Sequence, residues 1–362
     1  MRWPWQRNIS GDQLVCSWSD QTLTYVLARR QADGSCAVLR LGVERQGTDS
    51  RATFVQRLQG LGLKGVDAIV MLTSSQYQFL QIDTPAVPPE ELRSAARYQI
   101  REMLQIHVDD VTIDVVRVGD AARQGGTMHS FVVAAPNTVV RSVLDLGAAM
   151  DCPVSVIDVQ EMAQRNLQSA LAQRDGQPER ANAALVLVPG QQALLTISAN
   201  DELFYTRRFD VPEGFLTAVW GQGVALAAPV DGFTPVEEYV PSYSTGAVTF
   251  DDGFGAEQVP QAALNGVSRD DDERAQRLVV EVQRSLDVWD RTWSSLPLSR
   301  LLVYAGDRTT ELAQWLTQQL GQPVSPFDVG ALFPGFEAAP VAQQAQCLPL
   351  LGVLLRTEGV KS

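Results

Sequence analysis

The sequence predicts an α/β protein built as two related lobes, with a small α+β subdomain set into the first. Three observations predict it. An order of three β-like runs, an amphipathic helix and a buried strand occurs twice, about 170 residues apart; that period is too long for a solenoid and suits a duplicated lobe. Each copy carries a continuous apolar run, "VDAIVMLTS" and "LSRLLVYAG", typical of a strand covered on both faces. A separately patterned stretch interrupts the first copy.

In the first copy "DQLVCSWS", "TLTYVLARRQ" and "SCAVLRLGVER" are the β-like runs, parted by short polar turns. A helix follows in "SRATFVQRLQGLG", with Phe54, Leu58 and Leu61 on one face and Gly62 at its end. After the buried strand, "HSFVVAAP" reads as a strand, "NTVVRSVLDLGAAM" as a helix and "CPVSVIDV" as a strand. The second copy runs "AALVLVPG", "QALLTISAN" and "ELFYTRRFDV", then a strong helix in "DERAQRLVVEVQRSLDVWDRT". Leu278, Val279, Val282, Leu286 and Trp289 recur there at helical spacing. "RTTELAQWLTQQLG" is a helix and "QPVSPFD" opens a last strand. A duplicated β-β-β-α-β-α-β unit is the ribonuclease H-like, two-lobed architecture shared by actin, heat-shock chaperone ATPases and sugar kinases.

The expected organisation is a first actin-like lobe at 1–73 and 155–181, an inserted subdomain at 74–154 and a second lobe at 182–362. Residues 211–272 form an irregular region of that second lobe, with a short helix at "GFLTAVWGQGVALA" and a polar loop at 241–268. The subdomain offers a strand in "YQFLQI", a helix in "EELRSAARYQIREML", a strand in "VTIDVVRV", then a further strand and a helix. Pro88 and Pro89 favour a helix start just beyond them. Leu92, Ala95, Ala96, Ile100, Met103 and Leu104 make its apolar stripe, leaving Arg93, Arg97 and Arg101 toward solvent.

Composition narrows the function. A formal net charge of -13 over 362 residues argues against nucleic-acid binding, which needs clustered Lys and Arg. Cys16, Cys36, Cys152 and Cys347 are scattered, with no metal spacing or disulfide framework, and read as buried thiols of a reducing compartment. No apolar run of about twenty residues crosses a bilayer. "MRWPWQRN" lacks the apolar core of a signal peptide; Trp3 and Trp5 would suit a membrane interface or a packed terminus.

Catalysis finds little support. His107 and His129 are the two histidines, too few to supply a tuned triad. His107 stands by Asp109 and Asp110 in a helix-to-strand connection, where such residues satisfy backbone donors. No G-x-S-x-G elbow or G-x-x-x-x-G-K-[ST] phosphate loop occurs. Asp270, Asp271, Asp272 and Glu273 follow Ser268 at the start of a helix, where capping and the helix dipole explain them better than a metal.

"TPAVPPEELRSAARYQIREMLQIHVDDVTIDVVRV" resembles the PilM family of type IV pilus assembly proteins, and within it the MshI group of mannose-sensitive haemagglutinin (MSHA) pilus biogenesis. "VRSVLDLGAAMDCPVSVIDVQEMAQRNL", "EVQRSLDVWDRTWSSLPLSRLLVYAGDRTTELAQWLTQQLGQPV" and the closing "LPLLGVLLR" are similar to later family segments. The resemblance implies an FtsA-related, actin-like fold with an inserted subdomain. It also implies a cytoplasmic place at the inner-membrane face, where the protein binds the N-terminal tail of a PilN-like bitopic protein and is linked to the pilus motor ATPase.

Such a fold holds nucleotide between two β-hairpins whose turns offer backbone N–H groups to phosphate, each with an Asp that holds Mg²⁺ through water. Here Ser17 stands where the family has Asp, and Ser19 where it has Gly. In the second hairpin Val188 replaces Asp while Gly190 is kept, and Gly306 matches one glycine of a usual pair on the adenosine side. Asp20 lies one residue past the turn. The expectation is a degenerate cleft with no hydrolysis and no MgATP, no catalytic residue and no metal. The protein would then be a non-enzymatic adaptor that docks a peptide between the first lobe and the subdomain. The alternatives are an ATP-dependent switch of the same machinery and a cytoplasmic component of a type II secretion platform.

Overall fold

The computed structural model describes residues 11–19, 21–32, 34–118, 129–218, 220 and 269–356, of which 269–274 are described as backbone only. Trp3, Trp5, Asp20, Ser268 and the 241–268 loop lie outside the described residues.

The elements are β1 (Asp12–Ser19), β2 (Thr22–Arg30), β3 (Cys36–Arg45), α1 (Arg51–Gln59), β4 (Asp67–Leu72), β5 (Gln78–Asp83), α2 (Leu92–Gln99), β6 (Val111–Val118), β7 (His129–Pro136), α3 (Asn137–Ala149), β8 (Val154–Val159) and α4 (Gln160–Arg174). The chain continues through β9 (Ala181–Val186), β10 (Ala193–Ala199), β11 (Glu202–Phe209), α5 (Arg269–Thr292), β12 (Leu298–Tyr304), α6 (Thr309–Leu320), β13 (Val324–Pro326) and α7 (Val341–Leu354). Two five-stranded sheets have matching orders, β3-β2-β1-β4-β8 and β11-β10-β9-β12-β13. In each, a three-stranded antiparallel meander is continued by parallel strands. This is the predicted duplication.

Local chemistry sets the element ends. Ser50 caps α1, its hydroxyl accepting from the Thr53 amide at 3.2 Å. Phe54 and Leu58 are buried beneath it, and Gly62 adopts φ +69° just past its end. Ile69 to Leu72 of β4 are buried on both faces, as the continuous apolar run requires.

The small subdomain is a three-stranded antiparallel sheet, β5-β7-β6, with α2 on one face. "HSFVVAAP" is the further strand expected within 74–154, and it belongs to this sheet. Its apolar continuity has a different cause: β7 is the central strand and separates two cores. Val132 and Ala134 face Ala96 and Ile100 of α2, while Phe131 and Ala135 join the large core cluster that holds Leu14, Trp18 and Val143. Past β7, α3 buries Val143 and Leu146 in that same cluster, with Met150 just beyond its end. Its Gly147 lies so close to the following strand that a Cβ would meet Val154 Cγ2 at 2.5 Å. The small sheet therefore closes at Pro136, inside the 74–154 stretch marked out by sequence. α2 stops at Gln99, and the apolar stripe continues in turns through Ile100 and Leu104. Where a short helix was expected after Glu213, residues 213–218 form turns, and the rest lies outside the described residues.

Helix α4 is absent from the sequence reading because its polar residues are buried and do not mark a solvated face. Gln160, Glu161, Gln164, Arg165, Asn166 and Gln168 are all buried. Although α4 follows β8 of the first sheet, its side-chain amides are fastened to the second. Gln164 Nε2 donates to the carbonyls of Ala184 and Leu194 at 2.9 and 3.2 Å, and Gln168 Nε2 to Asn182 O at 2.8 Å. Helix α7 makes the reverse exchange. It ends the second half yet packs on the first sheet, with Cys347 beneath the carbonyls of Tyr25 and Gly42. The two helices cross at Gly352 and Ala163. A Cβ on Gly352 would lie 1.9 Å from Ala163 O, and Asn166 Nδ2 donates to Gly352 O at 2.9 Å.

Two predictions follow from this packing. Gly352→Ala forces backbone apart at the crossing, and we expect a loss of about 3 kcal/mol or more, the upper end of overpacking costs. It is read as a fall in urea midpoint at unchanged m value. Burial pushes the Cys16 and Cys347 thiols from an ordinary 9.0 to about 12. Above pH 9.0 the unfolded chain releases thiol protons that the folded chain keeps. Stability must then fall as pH rises, by about 1.4 kcal/mol per pH unit for each thiol. Urea titrations from pH 8 to 11 should show this slope, and Cys16→Ala/Cys347→Ala should reduce it while lowering stability at neutral pH.

Candidate functional site

In parallel α/β sheets, ligands sit beyond the carboxyl ends of the strands. β1, β4 and β8 share one direction, and β9, β12 and β13 another. β11 runs with β9, because both are antiparallel to β10. The predicted cleft residues all fall at these carboxyl edges, two on the first sheet and three on the second.

Ser17 and Ser19 close β1, paired with Thr24 and Thr22 of β2. Both serines are half-buried, and Ser19 Oγ donates to Thr22 O at 3.4 Å. Between them Trp18 is buried, stacked on Phe54 with ring centroids 5.8 Å apart. Val188 lies between β9 and β10, where an aspartate was sought. It is 1 % exposed and shares an apolar cluster with Cys347, Leu350 and Leu351 of α7. Gly190 takes φ +76° in open space, the conformation that keeps glycine there. Gly306, with φ +63°, lies against α7, and its added Cβ would sit 3.6 Å from Ala345 Cβ. Thr309 holds that turn, accepting from the Ala305 amide and donating to Gly306 O at 2.7 Å. Gln346 of α7 donates to Pro189 O at 3.2 Å. Val188, Gly190 and Gly306 are thus gathered along one flank of α7.

Beside them an open groove of about 520 Å³ runs between the Val188–Gln192 connection and residues 210–217. Asp210 and Glu213 are the charged side chains that line it among the described residues. Asp210 accepts from Gln192 Nε2 at 2.9 Å. Arg308 anchors the far end. Its guanidinium lies 3.7 Å over the Trp220 ring, donates to Leu216 O and Ala218 O at 2.8 and 2.6 Å, and pairs with Glu311.

The most charged buried feature at these edges was not legible in the sequence. Tyr77, between β4 and β5, donates its phenolic proton to Glu161 Oε2 in the first turn of α4. Arg208 on β11 donates to Glu161 Oε1 at 3.0 Å, to Gln160 Oε1 at 3.0 Å and to Tyr77 Oη at 2.8 Å. Glu161 is 1 % exposed. Burial first, and then the Glu161 charge, hold the Tyr77 phenol well above the ordinary tyrosine range. Burial alone would lower the Arg208 guanidinium, but Tyr77 and Glu161 outweigh it and the net shift is upward. Removing one member of such a buried pair costs about 3–5 kcal/mol, because the other charge is left without compensation. Next to Tyr77, Gln76 Nε2 donates to Trp18 O at 2.8 Å, which ties the cluster to the first hairpin. Tyr77 and Arg208 stand 131 residues apart in the chain, and neither lies in a motif.

In the subdomain, His107 Nδ1 accepts from the Asp109 amide at 3.3 Å and so caps the short 3₁₀ turn of Val108–Asp110. His107, Asp109 and Asp110 are exposed in that connection. His129 faces Asp83 across β7 and β5, with Nδ1 3.3 Å from Oδ1. Arg97 departs from the expected solvent row. It turns inward and donates to Val108 O at 2.6 Å and Val111 O at 3.2 Å, fastening α2 to β6. Arg93 pairs with Asp114 at 2.9 Å. Tyr98, Met103 and Ile106 are exposed; Met103 therefore leaves the expected stripe. The side chains of Asp270 to Glu273 lie outside the described residues. Among the described residues no group of three or more His, Cys, Asp or Glu could hold a metal ion, and no helix is long and apolar enough to cross a membrane.

No family model matches the sequence, and no curated protein matches it at a significant level. Solved structures do. A chain of the PilM–PilN type IV pilus biogenesis complex superposes over 97% of this chain and 99% of its own, with TM-score 0.64 and 16% identity. The cytoplasmic domain of EpsL, an inner-membrane component of the type II secretion system of Vibrio cholerae, covers 55% of this chain and 71% of its own at TM-score 0.38 and 16% identity. A protein of Bacteroides thetaiotaomicron with an actin-like ATPase fold covers 94% of this chain and 96% of its own at TM-score 0.45 and 9% identity. The first of these shows the fold, a two-lobed α/β architecture of the kind the duplicated sequence pattern predicts.

Proposed function

We propose that this chain is a non-enzymatic adaptor of a type IV pilus assembly platform, of the PilM kind and within it the MshI kind of MSHA pili. The observation that carries the proposal is the superposition with a chain of the PilM–PilN complex over nearly the whole length of both. In this reading the protein works in the cytoplasm at the inner-membrane face. It binds the short N-terminal tail of a PilN-like bitopic membrane protein and passes that connection to the motor ATPase. The tail lies extended between the first lobe and the small subdomain, adding main-chain hydrogen bonds and placing side chains in pockets.

The cleft chemistry supports an adaptor over an ATP-driven switch. A phosphate site needs donors and a metal carboxylate. Ser17 and Val188 offer no carboxylate, and Val188 is sunk in apolar packing against α7. Ser19 adds a side chain where phosphate approach favours glycine.

Two measurements test this reading. Calorimetric titration with MgATP should give no heat of micromolar binding; micromolar affinity would return the protein to the switch class. A synthetic peptide of the cytoplasmic tail of the membrane protein encoded beside this one should bind with a one-to-one stoichiometry. Absence of binding would remove the adaptor mechanism.

A further inference from the structure

We infer that the Glu161–Arg208 pair is a socket for Tyr77 that ties the root of the small subdomain to the second lobe, so that both lobes and the subdomain form one rigid body without any ligand between them. The inference goes beyond the adaptor reading and stands without it.

The argument begins with where the three residues come from. Tyr77 immediately precedes β5, the subdomain's first strand. Arg208 is on β11, the outer strand of the second sheet. Glu161 opens α4, the helix that leaves the first sheet at Val159 and is fastened to the second by Gln164 and Gln168. The phenol meets both members of the pair, and the Arg208 guanidinium also lies 5.9 Å from the centre of its ring.

Burial makes the arrangement conditional on closure. Glu161 is 1 % and Tyr77 8 % exposed, and each oxygen of a buried carboxylate needs a hydrogen-bond partner. One Glu161 oxygen is served by the phenol and the other by Arg208. Swinging the subdomain root away would strand Glu161 Oε2 inside protein. Ligand-driven lobe closure requires an open state of comparable free energy, and this socket disfavours that state. Other ties run across the same region. Arg356, just past α7, donates to Asp158 at the end of β8 at 2.8 Å, and Gln76 fixes the Trp18 carbonyl of the first hairpin.

Native-state hydrogen exchange on the full chain tests the socket. Tyr77→Phe keeps the ring and deletes the hydroxyl alone, so the variant folds. The expected result is a rise of about tenfold or more in exchange rate at residues 76–80 and 204–208, with the centres of β4 and β9 unchanged. Arg208→Met should extend the rise to residues 13–19 of the first hairpin. The inference is overturned if Tyr77→Phe leaves 76–80 and 204–208 within twofold of the parent. A uniform rise in β4 and β9 along with them would also overturn it, since it marks loss of general stability and not release of a clasp.

Discussion

The architecture depends on one contact between backbones, Gly352 of α7 lying on Ala163 of α4. Each of these helices completes one half of the duplicated chain and packs on the other half's sheet. They can change places only if they pass each other closely, and glycine and alanine at the crossing allow it. The matching strand orders of the two sheets give the protein its symmetry. This crossing turns two similar halves into one object.

The crossing is supported by polar side chains, which is unusual for so buried a helix. Gln164 and Gln168 spend their amide protons on carbonyls of the second sheet. Each net hydrogen bond stabilises by only about 1 kcal/mol, but an unmet buried amide costs more than that. Apolar contacts tolerate sliding, whereas a satisfied amide network accepts one register. The same reasoning covers Tyr77, Glu161 and Arg208. Their value lies less in attraction than in the expense of any arrangement that separates them.

The legible part of the fold was the part governed by periodicity. Alternating runs located the strands of both sheets, the buried runs identified β4 and β12, and α5 declared itself through Leu278, Val282 and Trp289. Periodicity failed where surroundings differ from the common case. α4 hides because polar residues cover the face that meets a sheet. "HSFVVAAP" shows no alternation because two cores, one on each side, make it continuously apolar. Ser17, Val188, Gly190 and Gly306 are placed by resemblance to the hairpins of a family. The packing of Val188 against α7 could not be read so, since it depends on residues about 160 positions later. Arg97 looked solvated because spacing gives the direction of a side chain on its helix and says nothing of carbonyls that a neighbouring strand presents. The Tyr77–Glu161–Arg208 contact joins three distant segments, and no local pattern marks it.

The double face of β7 bears on how such a subdomain could be exchanged between proteins. A module with a closed core of its own can be cut out and grafted elsewhere, leaving a healed surface behind. Here the excision would carry away Phe131 and Ala135 and open the core cluster they join to water. Removing the insertion would therefore cost the rest of the protein part of its own core, and any change in its size must be accommodated there.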